Sequence, residues 1–206
     1  MALPAQITVI PHPFTGEAEE SWEEFPVGFT PTSLMPIFDG AATISSSSAY
    51  VWMNTPELGI PGGMGLGPFT AKAYDGTQGY ASSAAGITAE IIFNSPVLNF
   101  GGYWGNGVGD PDTVFTFFDN NGAVIWSDSF HYVSPGNDGS LQWRGWHSEG
   151  PIHALRFSGY WVVNDSLRLS TVPEPSAGII LLLSSAILMF ARGWRIRSAS
   201  IRLVDQ

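Results

Sequence analysis

The stretch that decides the fold is residues 113–126, TVFTFFDNNGAVIW. Two apolar segments, 113–118 and 123–126, flank the turn sequence Asp-Asn-Asn-Gly. Asn-Gly between apolar segments is the strongest short-range signal for a β-hairpin, because a type I′ turn needs positive φ at both central residues. The stretch therefore predicts a pair of antiparallel strands and, around it, an all-β domain.

Further short apolar runs lie on both sides of this hairpin, at spacings typical of β-sandwiches. We expect one antiparallel, jelly-roll-like β-sandwich over residues 1–171. A weak helical pattern covers residues 17–24, and Asn94-Ser95-Pro96 has the composition of a turn. The other predicted strands are 41–47, 49–53, 69–74, 87–93, 97–103, 129–133, 153–163 and 165–169.

The composition agrees with this fold class and excludes several kinds of site. The 206 residues include 24 Gly and 15 Pro, which disfavours a helical bundle, and an aromatic content of 13% excludes a charge-extended disordered chain. There is no cysteine, so disulfides, thiolate nucleophiles, zinc–thiolate sites and iron–sulfur clusters are excluded. No two of the four histidines are four residues apart, which excludes a helical two-histidine metal site.

The charge is distributed unevenly along the chain. Residues 1–171 contain four basic and sixteen acidic residues, a net charge of −12, whereas residues 172–206 contain four arginines and two acids. Such an asymmetry predicts two segments with different roles. The acidic body disfavours nucleic acid and anionic membrane surfaces as partners.

Residues 177–191, AGIILLLSSAILMFA, contain no charged residue. A helix of 15 residues spans only about 22 Å at about 1.5 Å per residue. A bilayer core needs roughly 20 residues, a length that the span 176–196 provides. We expect a single C-terminal transmembrane helix, with a buried or amphipathic helix as the alternative. Because the arginines follow the apolar span, the positive-inside rule places residues 198–206 in the cytoplasm as a short tail and residues 1–171 outside.

Residues 172–197 resemble the PEP-CTERM sorting signal. They combine the motif Pro173-Glu174-Pro175, an apolar span, and the basic residues Arg192, Arg195 and Arg197 in that order. The basic end departs from one continuous arginine run, and nine further residues follow it. The two prolines disfavour helix and leave the motif extended and accessible.

The resemblance implies an exported bacterial protein that is recognised by a membrane-embedded transpeptidase of the exosortase type and cleaved near the motif. Such proteins are found in biofilm-forming Gram-negative bacteria that secrete exopolysaccharide. The chain would reside transiently in the inner membrane and then at the cell surface or in the extracellular matrix. A plain membrane anchor with a proline-rich hinge is the alternative.

The N-terminus does not look like a signal peptide. The first basic residue is Lys72, and residues 1–10, MALPAQITVI, contain no apolar run of sufficient length. Two hypotheses remain open: the true start lies upstream, or the chain is not exported by the usual route.

Carboxylates at both ends of the domain suggest a calcium site. Jelly-roll modules of the carbohydrate-binding type often hold Ca²⁺ between the first and last strands, and Ca²⁺ takes six to eight oxygen ligands. A second oxygen-rich segment, residues 105–112, GNGVGDPD, offers two further acids. The alternative is that all these acids are solvated surface groups. The candidate ligands are Glu23, Glu24, Asp39 and Asp165.

Residues 142–147, QWRGWH, suggest a glycan-binding platform. Flat aromatic rings stack on sugar faces, and Arg and His donate hydrogen bonds to hydroxyl groups. The alternative is that the tryptophans, which alternate along the strand, fill the core. The candidate platform residues are Trp104, Trp143, Arg144, Trp146 and His147.

Signals for catalysis are weak. The sequence contains no Gly-x-Ser-x-Gly elbow, and a glycosidase pair of carboxylates at about 5–9 Å cannot be identified from sequence. We expect a non-enzymatic protein of the cell envelope or extracellular matrix, structural or glycan-binding, with polysaccharide as a partner. The competing hypothesis is a secreted hydrolase that acts on polysaccharide.

Overall fold

A computed structural model of the protein describes residues 6–26, 34–46, 51–54, 74–76, 78–82, 87–105, 112–131, 140–159 and 162–171, with the backbone alone at 51–54, 81–82 and 87. The described residues form eleven strands and one short 3-10 turn, Phe38–Gly40. The strands are β1 (Ile7–Ile10), β2 (Ala18–Glu20), β3 (Met35–Ile37), β4 (Ala42–Ser46), β5 (Val51–Asn54), β6 (Gly79–Ser82), β7 (Ile87–Gly105), β8 (Thr113–Phe118), β9 (Val124–Phe130), β10 (Gln142–Gly159) and β11 (Val163–Thr171).

The hairpin that the sequence predicts is formed by β8 and β9. Phe117 lies opposite Trp126 in the antiparallel pair. The turn is held by Asp119, whose Oδ1 accepts the backbone N–H groups of Asn121 and Ala123, each at 2.8 Å. Gly122 has a φ of +75°, a conformation that glycine adopts without steric cost.

Two long strands, β7 and β10, organise the whole domain. They pair antiparallel along most of their length, with register shifts in β10 between His147 and Ala154. All eleven strands belong to one hydrogen-bonded sheet, which we divide at these register shifts into two layers. The first layer, called sheet I, contains the second half of β7 and the first half of β10, together with β11 and β1 and with β2 and β6 beside β11. The opposite halves of β7 and β10 form sheet II, with β4 and β3 on one side and β8 and β9 on the other. The register shifts let each long strand bend from one sheet into the other.

An aromatic core fills the space between the two sheets. Trp146 of sheet I packs on Phe115 of sheet II with ring centroids 4.6 Å apart. Trp104 of sheet I contacts Phe157 of sheet II at 5.3 Å. Tilted and edge-to-face pairs of this kind are the geometry that aromatic rings prefer. The fold is therefore an all-β, antiparallel sandwich, as the sequence predicted.

Several local predictions were wrong. Residues 17–24 are not helical: β2 is followed by Trp22 at a φ of +64°, which a right-handed helix cannot contain. Residues 94–96 do not reverse the chain, because β7 continues through them while Asn94 bonds to Gly40 and Ala41. The strand predicted at 153–163 begins earlier, at Gln142, and ends at Gly159.

The chain divides into two units, residues 1–172 and 173–206. All the described residues belong to the first unit. The predicted transmembrane helix, the motif at 173–175 and the strand predicted at 69–74, apart from Tyr74, lie outside the described residues. Within the part of the chain that the structure describes, no helix has the length and apolar character to span a bilayer.

Candidate functional site

Two of the predicted platform residues belong to the core. Trp104 and Trp146 are 1% and 0% exposed, and both pack on the rings of Phe115 and other core residues. Both side chains point inward because they lie on the same face of sheet I as Phe100, the partner of Trp146. The alternative from the sequence, that alternating tryptophans fill the core, describes these two residues, and they leave the predicted platform.

Arg144 also points away from the outer face. Its guanidinium binds Asp128 of β9 through Nη2 and through Nε, the latter at 2.8 Å, and its side chain is 23% exposed. Trp146 Nε1 donates to the same carboxylate oxygen at 3.0 Å. We call this cross-sheet group of Asp128, Arg144 and Trp146 the polar clamp. Arg144 therefore links the sheets and is unsuited to the role of sugar ligand.

Trp143 has the opposite orientation and lies on the outer face of sheet I. Its indole rests over the paired glycines Gly101 and Gly145. A Cβ atom would lie 2.7 Å from Trp143 Cζ2 if it were added at Gly101, and 2.9 Å from the same atom if it were added at Gly145. The indole N–H donates to the carbonyl of Ile10 at 3.0 Å, which fixes the orientation of the ring. Glycine is needed at both positions because any larger residue would lift the indole off the sheet.

Three more aromatic rings surround Trp143. Tyr103, its cross-strand partner, and Phe14 contact it edge-on at 5.4 and 5.7 Å between ring centroids. Tyr74 stacks on Tyr103 at 3.3 Å and is itself 52% exposed. We call Phe14, Tyr74, Tyr103 and Trp143 the aromatic face. Tyr74 is exposed, Phe14 and Trp143 are half-buried, and Tyr103, stacked against Tyr74, is only 7% exposed. The group is therefore a small, partly exposed aromatic patch, and exposed apolar patches on soluble domains mark interaction sites.

A polar row borders the aromatic face on the same side of sheet I. His147 is exposed, as predicted, and its Nδ1 lies 2.7 Å from Asn99 Oδ1 on the neighbouring strand. Thr8 of β1 is the cross-strand partner of His147 on the other side. Beside the glycines, Arg168 donates to the carbonyl of Phe14 and so anchors the segment that carries this ring. An extended ligand on the face would therefore meet flat rings at one end and hydrogen-bonding groups at the other.

Two of the predicted calcium ligands hold the segment that carries Tyr74. Asp165 Oδ2 accepts the N–H groups of Tyr74 and Asp75 at 2.6 and 2.9 Å. Glu23 Oε1 accepts the N–H of Gln78 at 2.6 Å. Both carboxylates thus bind backbone donors, and together they fix the position of Tyr74 on the aromatic face.

The predicted calcium site does not assemble. Glu24 and Asp39 are exposed and lie near the buried Glu20, whose pKa is raised by burial and, to a smaller extent, by these two charges. Asp165 lies elsewhere, on β11, with its carboxylate occupied by backbone N–H groups. Among the described residues, no three His, Asp or Glu side chains come together as a cation site. The four predicted ligands therefore do not form one oxygen cluster for Ca²⁺ in the described part of the chain, and most of the second candidate segment, residues 106–111, lies outside it.

The aromatic face contains residues that the sequence did not single out. Tyr103 and Phe14 come from a strand interior and from the segment after β1, and Tyr74 comes from a segment far away in sequence. The one available signal was glycine inside a strand: Gly101 lies two residues before Tyr103, and Gly145 two residues after Trp143. Glycine at such positions indicates close approach of another group, here the indole.

The described residues include a grouping of the residue types used by serine hydrolases. Asp112 accepts a hydrogen bond from Ser129 Oγ at 2.8 Å, and its other oxygen lies 2.8 Å from His131 Nδ1. In a catalytic triad the histidine stands between the serine and the acid, so that it can take the serine proton. Here the acid stands in the middle, which does not activate the serine.

No family model and no curated protein matches the chain in sequence. Among solved structures it is similar to the K2 cleaved adhesin domain of Lys-gingipain, at 11% identity and a TM-score of 0.47, over 76% of this chain and 100% of that one. It is also similar to the CBM22-1 xylan-binding domain of Xyn10C from Paenibacillus barcinonensis, at 16% identity and a TM-score of 0.36, over 79% and 100% of the two chains. A family 6 carbohydrate-binding module matches at 12% identity and a TM-score of 0.37, over 62% and 87%. All three similarities are remote.

Proposed function

We propose that the protein is a non-catalytic glycan-binding domain of the cell envelope or extracellular matrix. The observation that carries the proposal is the aromatic face, in which Trp143 packs over two glycines with its ring orientation fixed by a hydrogen bond. The C–H bonds on one side of a pyranose ring pack against such a surface, while its hydroxyl groups need hydrogen-bond partners at the edge. His147 and Asn99 lie about 13 Å further along the strands, at about 3.3 Å per residue, and supply such partners to another sugar unit of an extended ligand.

The rigidity of the face supports this function. The backbone N–H groups of Tyr74 and of the next residue, Asp75, donate to Asp165, and the indole N–H of Trp143 donates to Ile10. Rings that are fixed before binding lose little conformational entropy when a ligand docks, which preserves the affinity of a small contact area. A purely structural adhesin would not need this fixed arrangement of rings around an exposed tyrosine.

The proposed location rests on the C-terminal segment. Residues 172–197 resemble the PEP-CTERM sorting signal, and the acidic body before them has the charge asymmetry expected of an exported domain with a cationic inner flank. We propose that an exosortase-type transpeptidase recognises Pro173-Glu174-Pro175 and releases residues 1–171 from the inner membrane. The domain would then bind polysaccharide outside the cell.

The hydrolase alternative requires a carboxylic acid that stays protonated near the substrate. Among the described acids, burial raises the pKa of Glu20 and, to about 6, that of Asp165, but both carboxylates are buried and bind backbone N–H groups. The pKa of Asp119 is instead lowered by backbone hydrogen bonds from its turn. This distribution of acids favours binding over hydrolysis.

Removing the rings of the aromatic face is expected to weaken glycan binding. Trp143→Ala should weaken the free energy of glycan binding by about 2 kcal/mol, roughly 30-fold in affinity, because it removes the central ring of the aromatic face. Tyr74→Ala should lower the affinity for the glycan about tenfold. Because Tyr74 is half-exposed, this variant should fold normally. The measurement is an oligosaccharide array followed by calorimetric titration of the strongest binder.

Leu34→Ala is the matched control, since it removes an exposed apolar side chain, 61% accessible, that lies outside the aromatic face. Its affinity should equal that of the unchanged protein. Equal binding by the Trp143→Ala and Tyr74→Ala variants, with both folded, would remove the aromatic face from the mechanism. An array without any bound glycan would overturn the proposed function.

Replacing Pro173, Glu174 and Pro175 by alanine is expected to stop processing. The uncut chain should accumulate in the inner-membrane fraction, because its apolar span remains attached. Intact-mass analysis of fractionated cells measures this directly, and Asp205→Ala in the tail should be processed normally. An uncut, unsubstituted chain dissolved in the cytosol would contradict the proposed sorting.

A further inference from the structure

A surface groove of about 330 Å³ lies on the outer face of sheet II. Glu90 and Ile92 of β7, Ala154 and Arg156 of β10, and Phe118 of β8 line it, and the turn between β8 and β9 closes one end. On these strands the alternate residues Ile91, Leu155 and Phe117 point into the core. The groove and the aromatic face therefore lie on opposite outer faces of the sandwich.

The floor of the groove is partly apolar and carries one fixed cation. Ile92 is 39% exposed, and the guanidinium carbon of Arg156 lies 4.8 Å from the ring centroid of Phe118. Arg156 Nη2 donates to Glu90 Oε1 at 2.9 Å, across the β7–β10 pair. One face of the guanidinium and one of its N–H groups are thus used internally, and the remaining donors of a half-exposed side chain face solvent.

The end of the groove is rigid and polar. Asp119 lines it while Oδ1 of its carboxylate holds the turn through Asn121 and Ala123, and those hydrogen bonds lower its pKa. His153 lines the same end and stabilises the charge of Asp119. Hydrogen-bond donors and acceptors therefore both border a partly apolar floor, an arrangement that suits a compact ligand with many hydroxyl groups.

The charges around the groove indicate an uncharged sugar. Arg156 is already neutralised by Glu90, and Asp119 adds a negative charge. In the described part of the chain the other two arginines are also ion-paired, Arg144 with Asp128 and Arg168 with Glu19. A uronate or phosphorylated polymer would therefore meet an acidic domain whose described guanidinium groups are all neutralised.

We propose that this groove is a second glycan site, specific for an uncharged pyranose unit, and that the domain cross-links two polysaccharide chains through its opposite faces. The inference rests on the proposed function, since the aromatic face supplies the first site. A domain with two opposed sites joins separate chains without any oligomerisation. In a matrix, such a domain would connect separate polysaccharide chains as well as bind to them.

The test uses neutral hexasaccharides of β-linked glucose, xylose and mannose for stoichiometry, and the long polymer of the best binder for cross-linking. Calorimetry should give two hexasaccharides per chain for the unchanged protein. The single variants Arg156→Ala and Trp143→Ala should each bind one hexasaccharide per chain, and the double variant should bind none. Both single variants should still bind the long polymer while losing the turbidity or gelation that the unchanged protein produces. Val114→Ala, on the same outer face but outside the groove, should behave like the unchanged protein.

The outcomes separate the two proposals. One hexasaccharide per chain in the unchanged protein, or unaltered stoichiometry in Arg156→Ala, would overturn the second site while leaving the proposed function intact. Tighter binding of a polyuronate than of the neutral polymer, lost in Arg156→Ala, would overturn the assignment of an uncharged sugar. No binding to any hexasaccharide, with the folded state verified by circular dichroism, would overturn both.

Discussion

Replacing Asp128 by alanine is expected to lower the free energy of unfolding by about 3 kcal/mol. Asp128 is 13% exposed and accepts hydrogen bonds from Arg144 and, at 3.0 Å, from Trp146. Without it, a cation that is mostly buried between the sheets loses its counter-ion, and an indole N–H at 0% exposure loses its acceptor. Breaking a buried ion pair from one side costs far more than the pair itself contributes, because the remaining charge stays desolvated.

Urea unfolding followed by tryptophan fluorescence measures the change. Asp112→Asn is the matched control: Asp112 also pairs with a basic side chain, His131, but the two side chains are 44% and 64% exposed. Exposed pairs contribute between 0 and about 1 kcal/mol, so the control should stay within that range. Equal losses in the two variants would show that burial of the polar clamp does not matter.

A double variant separates the clamp from simple packing. Asp128→Leu combined with Arg144→Leu removes both charges, and the pair should be less destabilising than Asp128→Ala alone. The guanidinium also lies 5.6 Å from the ring centroid of Phe130, so a leucine at 144 keeps an apolar contact there. Additive losses in the double variant would mean that the two side chains act independently.

The fold class was predictable because the patterns that define it are local. The Asn-Gly turn and its flanking apolar segments fix β8 and β9, and alternation fixes the inward residues Leu155 and Phe157 of β10. The continuation of β7 through Pro96 was not predictable, since the local composition favours a turn. Tertiary pairing of β7 with β4 and β10 overrides that preference.

The candidate site was predictable only in part, for a reason of geometry. In residues 142–147 both tryptophans, the arginine and the histidine were proposed as sugar ligands. A strand sends alternate residues to opposite faces, so only Trp143 and His147 of these four remain outside. The sequence does not say which alternate set faces the core when both sets are aromatic. The contribution of Tyr74 was even less predictable, because its position depends on the carboxylate of Asp165, 91 residues away in sequence.

Asp165 should make the stability of the domain depend on pH in a direction opposite to that of most carboxylates. Burial is the largest cause that raises its pKa from 3.8 to about 6, against the lowering effect of three backbone N–H donors. The folded state therefore binds a proton at pH values where the unfolded chain has released it. Between pH 3.8 and about 6, stability falls as the pH rises, and above pH 6 this contribution stays constant.

The size of the effect is about 3 kcal/mol, since each unit of pKa difference corresponds to about 1.4 kcal/mol. Urea unfolding at intervals from pH 4 to pH 7 should show it as a difference between the unchanged protein and Asp165→Asn. Asp165→Asn lowers the free energy of unfolding by a constant amount, because one hydrogen-bond acceptor is missing. The variant has no charge to desolvate, so only the unchanged protein loses stability as the pH rises. The stability difference between the two proteins should therefore narrow as the pH rises. Acids with lowered pKa, such as Glu17, act in the opposite sense but are common to both proteins and cancel in the comparison.

Asp75→Asn is the matched control for this titration. Asp75 is exposed, donates its own N–H to Asp165, and its charge contributes to the raised pKa. Its replacement should keep the slope and move its upper limit slightly below pH 6, whereas Asp165→Asn should remove the slope. Parallel stability curves for Asp165→Asn and the unchanged protein would mean that the carboxylate is ionised throughout, with the three N–H donors outweighing its desolvation.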